Sequence, residues 1–344
     1  MPPKPTIRSL AESLGVSVAT VSEALRFSPK VKPETAERIR AAAEEAGYKR
    51  NPLLGEAFSS LRRGRYRDFS GTLALVDLAD DHGNCELMLF HKEVMKGAEA
   101  RAAELGFRLE LFWVGKKEPA LSVSRLCSVL YARGILGVVF LPFDRLQDFS
   151  KFEFNKFAAV AMDRRLVRPS LHAVQPEHYL SMRRAVQILF DRGYKRVGLC
   201  LETRKDERVD YKWSSGYASA YRLNGKKSNV PPLIQKESDR SEFIAWVKKY
   251  KPDVVIGHAQ AMMDWLDQAG LPVPEKVGFF RINVTESSRP CAGLDLLPQP
   301  LGAAAVEAVV GMLHRREFGI PETPQAIQID LAVVEGPTIR PPKD

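Results

Sequence analysis

The chain has 344 residues, 45 % hydrophobic and 27 % charged, ordinary for a globular protein with room for two or three domains. No run approaches the roughly 18 apolar residues of a membrane span, and the start lacks the apolar core of a signal peptide, so a cytoplasmic protein is expected. Of the formal net charge of +9, residues 1–70 hold +5, from 13 Lys and Arg against 8 Asp and Glu. A basic head on a nearly balanced body suits a partner rich in phosphate, although a merely solvated basic face would look the same.

In chain order, Ile7, Leu10, Ala11 and Leu14 form one apolar stripe, which predicts a first helix ended by Gly15. Val16 and Ser17 fill a tight turn, Ser17 is a good N-cap, and Val18, Val21 and Leu25 give a second helix its inward face. That is a helix-turn-helix, a unit that presents the start of its second helix to the major groove. Thr6, Ser17, Val18, Ala19, Thr20, Ser22 and Glu23 are the expected DNA-facing residues. Pro33 at a helix start, Ala36, Ile39, Ala43 and Ala46, and Gly47 past the end describe a third helix that closes the bundle. About 45 residues make little core, so the bundle is expected to be a module on something larger.

Asn51-Pro52 caps a short helix whose stripe is Leu53, Leu54, Ala57, Phe58 and Leu61, followed by a cationic linker of Arg62, Arg63, Arg65 and Arg67. From Gly71 strands alternate with helices. Thr72–Leu78, Arg108–Val114, 134–142 and 158–163 read as strands, with helices near Phe90–Leu105 and Ser122–Ala132 between them. The pattern then restarts with a helix at Leu180–Arg192, strands at Arg196–Leu201, Val254–Gly257 and Lys276–Arg281, a long helix near Leu301–Arg316 and a last strand at Ala326–Val334. Two α/β halves with parallel sheets are the expected fold, and such sheets bind ligands at the carboxyl ends of their strands. The cysteines Cys85, Cys127, Cys200 and Cys291 show no CxxC spacing and no neighbouring histidine pair, so they are read as buried thiols, with no metal or disulfide framework. The six histidines, His82, His91, His172, His178, His258 and His314, are dispersed. No GxSxG, GxxxxGK[ST], GxGxxG or HExxH occurs, so catalytic residues and cofactors are not expected and the chain is read as a non-enzyme.

These motifs together make the chain resemble the LacI/GalR family of transcription regulators. The likeness lies in Leu10-Ala-Glu-Ser-Leu-Gly-Val-Ser17, Thr20-Val-Ser-Glu-Ala-Leu25, Ala46-Gly-Tyr48, Asn51-Pro52, Gly97-Ala98, Ala103-Glu-Leu-Gly106, Gln299-Pro300 and Gly336-Pro-Thr-Ile-Arg340. It implies a homodimer, two heads on a near-palindromic operator, and a periplasmic-binding-protein-like body holding a small-molecule effector, of carbohydrate type, between its lobes. The division it implies is a DNA-binding domain at 1–50, a hinge helix and basic linker at 51–70, and a body at 71–344. Within the body, the N-lobe takes 71–173 with 299–320 and the C-lobe takes 174–298 with 321–340.

The resemblance also locates departures. The family's minor-groove wedge is a leucine, and Ala57 holds that place here; Leu54 or Phe58 takes over the wedge, or the kink is absent. Asn51, Leu54, Ala57 and Phe58 are therefore the expected hinge contacts. Glu23 stands where the family often carries a base-reading arginine, and a carboxylate there accepts from a cytosine amino group instead. In the effector pocket the corresponding residues are Asp163, Trp213, His258 and Asn283, of which only Asp163 matches the sugar-binding pattern. Trp213 offers a ring to stack, and His258 and Asn283 offer hydrogen bonds. A transcriptional repressor is the leading expectation; a solute-binding protein without regulatory DNA contact is the alternative.

Overall fold

The structure, a computed structural model, describes residues 7–25, 31–46, 71–78, 85–115, 120–143, 147–163, 166–225 and 227–342. Thr6, Asn51, Leu54, Ala57, Phe58, the expected hinge helix and the linker arginines lie outside the described residues. The chain divides into two compact units, residues 1–67 and 68–344.

The first unit holds α1 (Ile7–Leu14), α2 (Val18–Ala24) and α3 (Pro33–Glu45). Gly15 takes φ +62°, the left-handed conformation that a helix-ending turn requires and that glycine adopts without a steric cost. The apolar stripes meet in one small core of Leu10, Ala11, Val21, Ala24, Val31, Ala36, Ile39 and Ala43.

The second unit contains two six-stranded sheets. The first runs β2 (Phe107–Val114), β1 (Gly71–Leu78), β3 (Gly137–Phe140), β5 (Ala158–Met162), β7 (His172–Pro176), β13 (Ala326–Ile329), with every neighbouring pair parallel. The second runs β9 (Leu233–Gln235), β8 (Val197–Glu202), β10 (Val254–Gly257), β11 (Gly278–Arg281), β12 (Ala292–Asp295), β14 (Ala332–Val334), parallel except for β14. A two-stranded pair, β4 (Gln147–Asp148) with β6 (Leu166–Arg168), stands apart. Strands this apolar need cover on both faces, and helices supply it: α4 (Cys85–Glu104), α5 (Val123–Ala132), α6 (His178–Asp191), α7 (Thr203–Glu207), α8 (Lys212–Leu223), α9 (Arg240–Tyr250), α10 (Ala261–Gln268) and α11 (Pro298–Arg315).

The closing stretch corrects the expected lobe division. It is two strands rather than one: Ala326–Ile329 pairs with β7 in the first sheet, and only Ala332–Val334 joins the second, antiparallel to β12. The assignment of 321–340 to the C-lobe alone therefore fails, and the expected break after residue 173 falls inside β7. The physical reason is edge cover, since each lobe pairs the open side of its outer strand with a piece of the tail. Gly97 and Gly302 explain another motif: a Cβ at Gly97 would sit 2.0 Å from the Gln299 carbonyl oxygen, and one at Gly302 would sit 2.0 Å from that of Val94, so α4 and α11 cross backbone to backbone. Cys127, Cys200 and Cys291 are free and buried, and burial pushes the Cys200 thiol up to about 12.

Candidate DNA-binding head and interlobe cleft

In the head, the Thr20 amide donates to Ser17 Oγ at 3.0 Å, and the two hydroxyls lie 2.8 Å apart. Ser17 thus satisfies one of the unpaired amides at the start of α2. Ser17 and Ala19 are exposed, Val18, Thr20 and Glu23 half-buried, while Val21 and Ala24 turn into the core. Ser22 lies on α2, but its side chain is not among those described. The first turn of the second helix is therefore presented outward on the head, with its inner face occupied.

In the body, a cleft of about 680 Å³, counted to its open mouth, lies between the lobes. Trp213, His258 and Asn283 line it together, and Asp163 stands beside it, its carboxylate 3.8 Å from the guanidinium of the lining residue Arg208. The sequence reasoning missed His178, Lys205 and Arg208 in the wall, along with Phe90, the N-lobe's lining side chain. One rule would have found most of them, because they gather just beyond strand ends: Asp163 after β5, His178 after β7, Lys205 and Arg208 after β8, His258 after β10 and Asn283 after β11.

Local structure holds each in place. Asp163 sits at φ +68°, a left-handed position that aspartate tolerates better than most residues. Asp206, buried at the α7–α8 corner, accepts from the Ser214 amide at 3.2 Å and fixes the turn carrying Arg208 and Trp213. Arg281 is only 1 % exposed. It donates to the Asn283 carbonyl at 2.7 Å, Gln260 Oε1 at 2.6 Å and the Glu286 carbonyl at 3.1 Å, splinting the loop that brings Asn283 and Glu286 to the cleft. Asn283 Oδ1 accepts from the Thr285 amide, which leaves its amide nitrogen as the donor for the cleft.

Neither cleft histidine has a hydrogen-bond partner at its ring nitrogens, and the two differ in their neighbours. His258 Nε2 lies 3.5 Å from Glu202 Oε1, an ion-pair distance without hydrogen-bond geometry. His258, then Ser238 Oγ at 2.7 Å, hold the Glu202 carboxyl down at about 2 despite burial. His178 packs its ring 4.5 Å from that of Trp213, and neither of its nitrogens has a hydrogen-bond partner. Burial, followed by the charges of Arg208 and Lys212, pushes its pKa well below the usual 6.5.

A helix-turn-helix head on a body of two parallel-sheet lobes with a cleft between them defines a DNA-binding transcription regulator with a ligand-binding body. The head matches the family described as bacterial regulatory proteins, lacI family, over residues 6–51, and the body matches a periplasmic binding protein-like domain over residues 186–336. The chain thus pairs a lacI-family helix-turn-helix head with a periplasmic binding protein-like domain in its body. It is 26 % identical to the HTH-type transcriptional repressor CytR of Escherichia coli strain K12 over 91 % of this chain and 90 % of that protein. It is 25 % identical to the regulator AscG of the same strain, over 92 % and 95 %. In fold it is similar to the transcriptional regulator CelR in its cellobiose complex, with a TM-score of 0.59, 19 % identity and coverage of 97 % and 99 %. A lac repressor dimer bound to operator and the anti-inducer ONPF gives 0.56, 15 %, 98 % and 99 %. These relatives are regulators rather than enzymes, and the head match disfavours the solute-binding alternative. Among the described residues no helix is long and apolar enough to cross a membrane.

Proposed function

We propose that the protein is a cytoplasmic repressor that binds a near-palindromic operator as a homodimer and answers to a small-molecule effector in the interlobe cleft. Residues 1–50 read the DNA, 51–70 form the hinge and basic linker, and 71–344 form the body, with Ala326–Ile329 counted in the N-lobe. The observation that carries the reading is the outward-facing first turn of α2; Ser17, Val18, Ala19, Thr20, Ser22 and Glu23, together with Thr6, are the residues assigned to phosphates and base edges. Asn51, Leu54, Ala57 and Phe58 make the minor-groove contacts of the hinge. The names of the relatives support the same reading, one a repressor and another a regulator solved with cellobiose. Asp163, Trp213, His258 and Asn283 hold the effector, which acts by favouring one lobe orientation over another. No turnover accompanies binding, since the chain carries no recognised nucleophile, phosphate or metal motif.

The test is fluorescence anisotropy of the full chain on DNA fragments selected from a genomic library. A sequence-preferring complex is expected whose affinity falls steeply with salt, as release of counterions from phosphates requires. Thr20→Ala should weaken the selected site more than random DNA, whereas Ser17→Ala should also cost the head about 1 kcal/mol through the lost cap. Binding without sequence preference at low salt would overturn the reading.

A further inference from the structure

His178 opens α6 just beyond β7, lines the interlobe cleft and is only 4 % exposed. Among the described residues neither of its ring nitrogens has a hydrogen-bond partner. Buried polar groups in folded proteins are nearly always satisfied, and where nothing satisfies one an apolar side chain of similar size is the more stable choice. A group that enters through the cleft from outside the chain would make good the deficit. Burial and the nearby charges of Arg208 and Lys212 keep the imidazole neutral, so one nitrogen donates and the other accepts.

The rest of the lining indicates what that group is attached to. Phe90, Leu201, Val209, Trp213, Ile282 and Leu296 are all buried and give the cleft apolar walls. The rings of Trp213 and His178, 4.5 Å apart and inclined at 59°, make a corner that offers a flat ligand ring one face and one edge. The charged members, Lys205, Arg208 and Glu286, each already interact within the protein, so none stands open to a ligand's charge. An ion brought into such walls would lose its hydration without gaining a counter-charge, a far larger penalty than burying an uncharged polar group. The other polar side chains of the lining are His258, whose Nε2 faces Glu202 at 3.5 Å, and Asn283, whose Oδ1 is taken by the Thr285 amide. A sugar carries a hydroxyl on nearly every carbon, more than these groups can satisfy, whereas a ring with one or two polar substituents matches them.

We propose that the cleft takes an uncharged solute built on a flat, largely apolar ring, the ring lodged against Trp213 and a polar substituent hydrogen-bonded to His178, the residue that selects it. The assignment rests on the reading of the cleft as the effector site, and it replaces the carbohydrate type that the resemblance implies.

The test titrates the full chain with pairs that differ in charge: nicotinamide against nicotinate, phenylacetamide against phenylacetate, and glucose against glucose 6-phosphate as the pair without a flat ring. Calorimetry gives the affinity, and a change in tryptophan emission that Trp213→Phe abolishes places the probe in the cleft. At least one of the two amides should bind, about ten-fold or more tighter than its anion. In His178→Leu that affinity should fall about ten-fold, while the thermal midpoint of the empty chain holds or rises because the unsatisfied nitrogens are gone. His178→Gln, which returns a donor and an acceptor, should recover most of the affinity. An amide that binds His178→Leu as well as the parent overturns the role given to the imidazole. Anions that bind better than the amides overturn the uncharged assignment, and glucose binding in place of the amides overturns the ring assignment; all three results leave the effector site standing. If no probe binds, the ligand class is wrong, and the small-molecule fraction of a cell extract decides on the cleft itself. A Trp213-dependent emission change with that fraction keeps the effector reading, and its absence ends that reading as well.

Discussion

His178 and Glu202 carry opposite demands on protonation, and the two act in separate pH ranges. The folded chain holds His178 neutral, through burial and the neighbouring Arg208 and Lys212, while the unfolded chain takes up a proton as pH falls through about 6.5. Because the unfolded state then binds more protons, stability must fall as pH drops below that value. Glu202 runs lower: its carboxyl titrates near 2 in the fold against 4.5 unperturbed, so its contribution is complete above about 4.5 and is lost between there and 2. The thermal midpoint should therefore decline in two stages on acidification. His178→Phe should flatten the upper stage, and Glu202→Gln should remove part of the lower one. Differential scanning fluorimetry from pH 7.5 to 3 reads both, and a His178→Phe variant with the parent's slope between pH 7 and 5.5 would show that this imidazole does not couple to stability. Neither residue was visible as special in the sequence. Trp213, His258 and Asn283 were singled out through a resemblance, but His178 and Arg208 depend on which strand ends the sheets bring together, which no local pattern states.

Among the elements, legibility followed burial. Strands β1, β3, β5 and β10 are nearly continuous apolar runs and read directly from the chain, since a strand covered on both faces has no polar alternation. β7 (His-Ala-Val-Gln-Pro) and β12 (Ala-Gly-Leu-Asp) were missed because they are short and carry polar, proline or glycine residues that mimic turns. Gly293 within β12 is there for space, as a Cβ would come 2.2 Å from the Arg281 carbonyl oxygen. The same logic governs the crossing of α4 and α11, where motif residues quoted only for their likeness acquire a physical cause. Gly97→Ala and Gly302→Ala each place a methyl on backbone rather than on a side chain that can swing away, so the helices must separate. Each should cost about 1–3 kcal/mol or more, the usual penalty for overpacking, measurable as a lower urea midpoint. Gly134→Ala is a useful contrast. Its φ is +66° with nothing within 4 Å of the added methyl, so any loss there reports backbone strain without a clash.

For the molecule as a whole, the chain passes between lobes three times in the body, after β7, after β12 and between β13 and β14. The first two passes follow the repeated β-α order seen in the sequence, but the last is hidden there because Ala326–Val334 looks like one strand, although Asp330 and Leu331 divide it between two sheets. Three connections make a joint about which lobes can close on a ligand, and Asp163 opposite Arg208 puts opposite charges on the two sides. The largest hydrophobic cluster draws on both lobes, joining Leu73, Val94 and Val160 to Val197, Ile256 and Leu301, so the body should unfold as one cooperative unit. Among the described residues the head's own core has eight buried side chains, which is marginal for a unit of its size. Calorimetry of the full chain should accordingly resolve a lower transition for the head and a higher one for the body. A cleft ligand at a hundred times its dissociation constant should raise the body's stability by about 2.7 kcal/mol and leave the head's midpoint in place, while a selected DNA fragment should raise the head's. A single transition that both ligands move equally would mean that the two cores unfold together, and effector and DNA would then communicate through shared stability rather than through the orientation of the lobes.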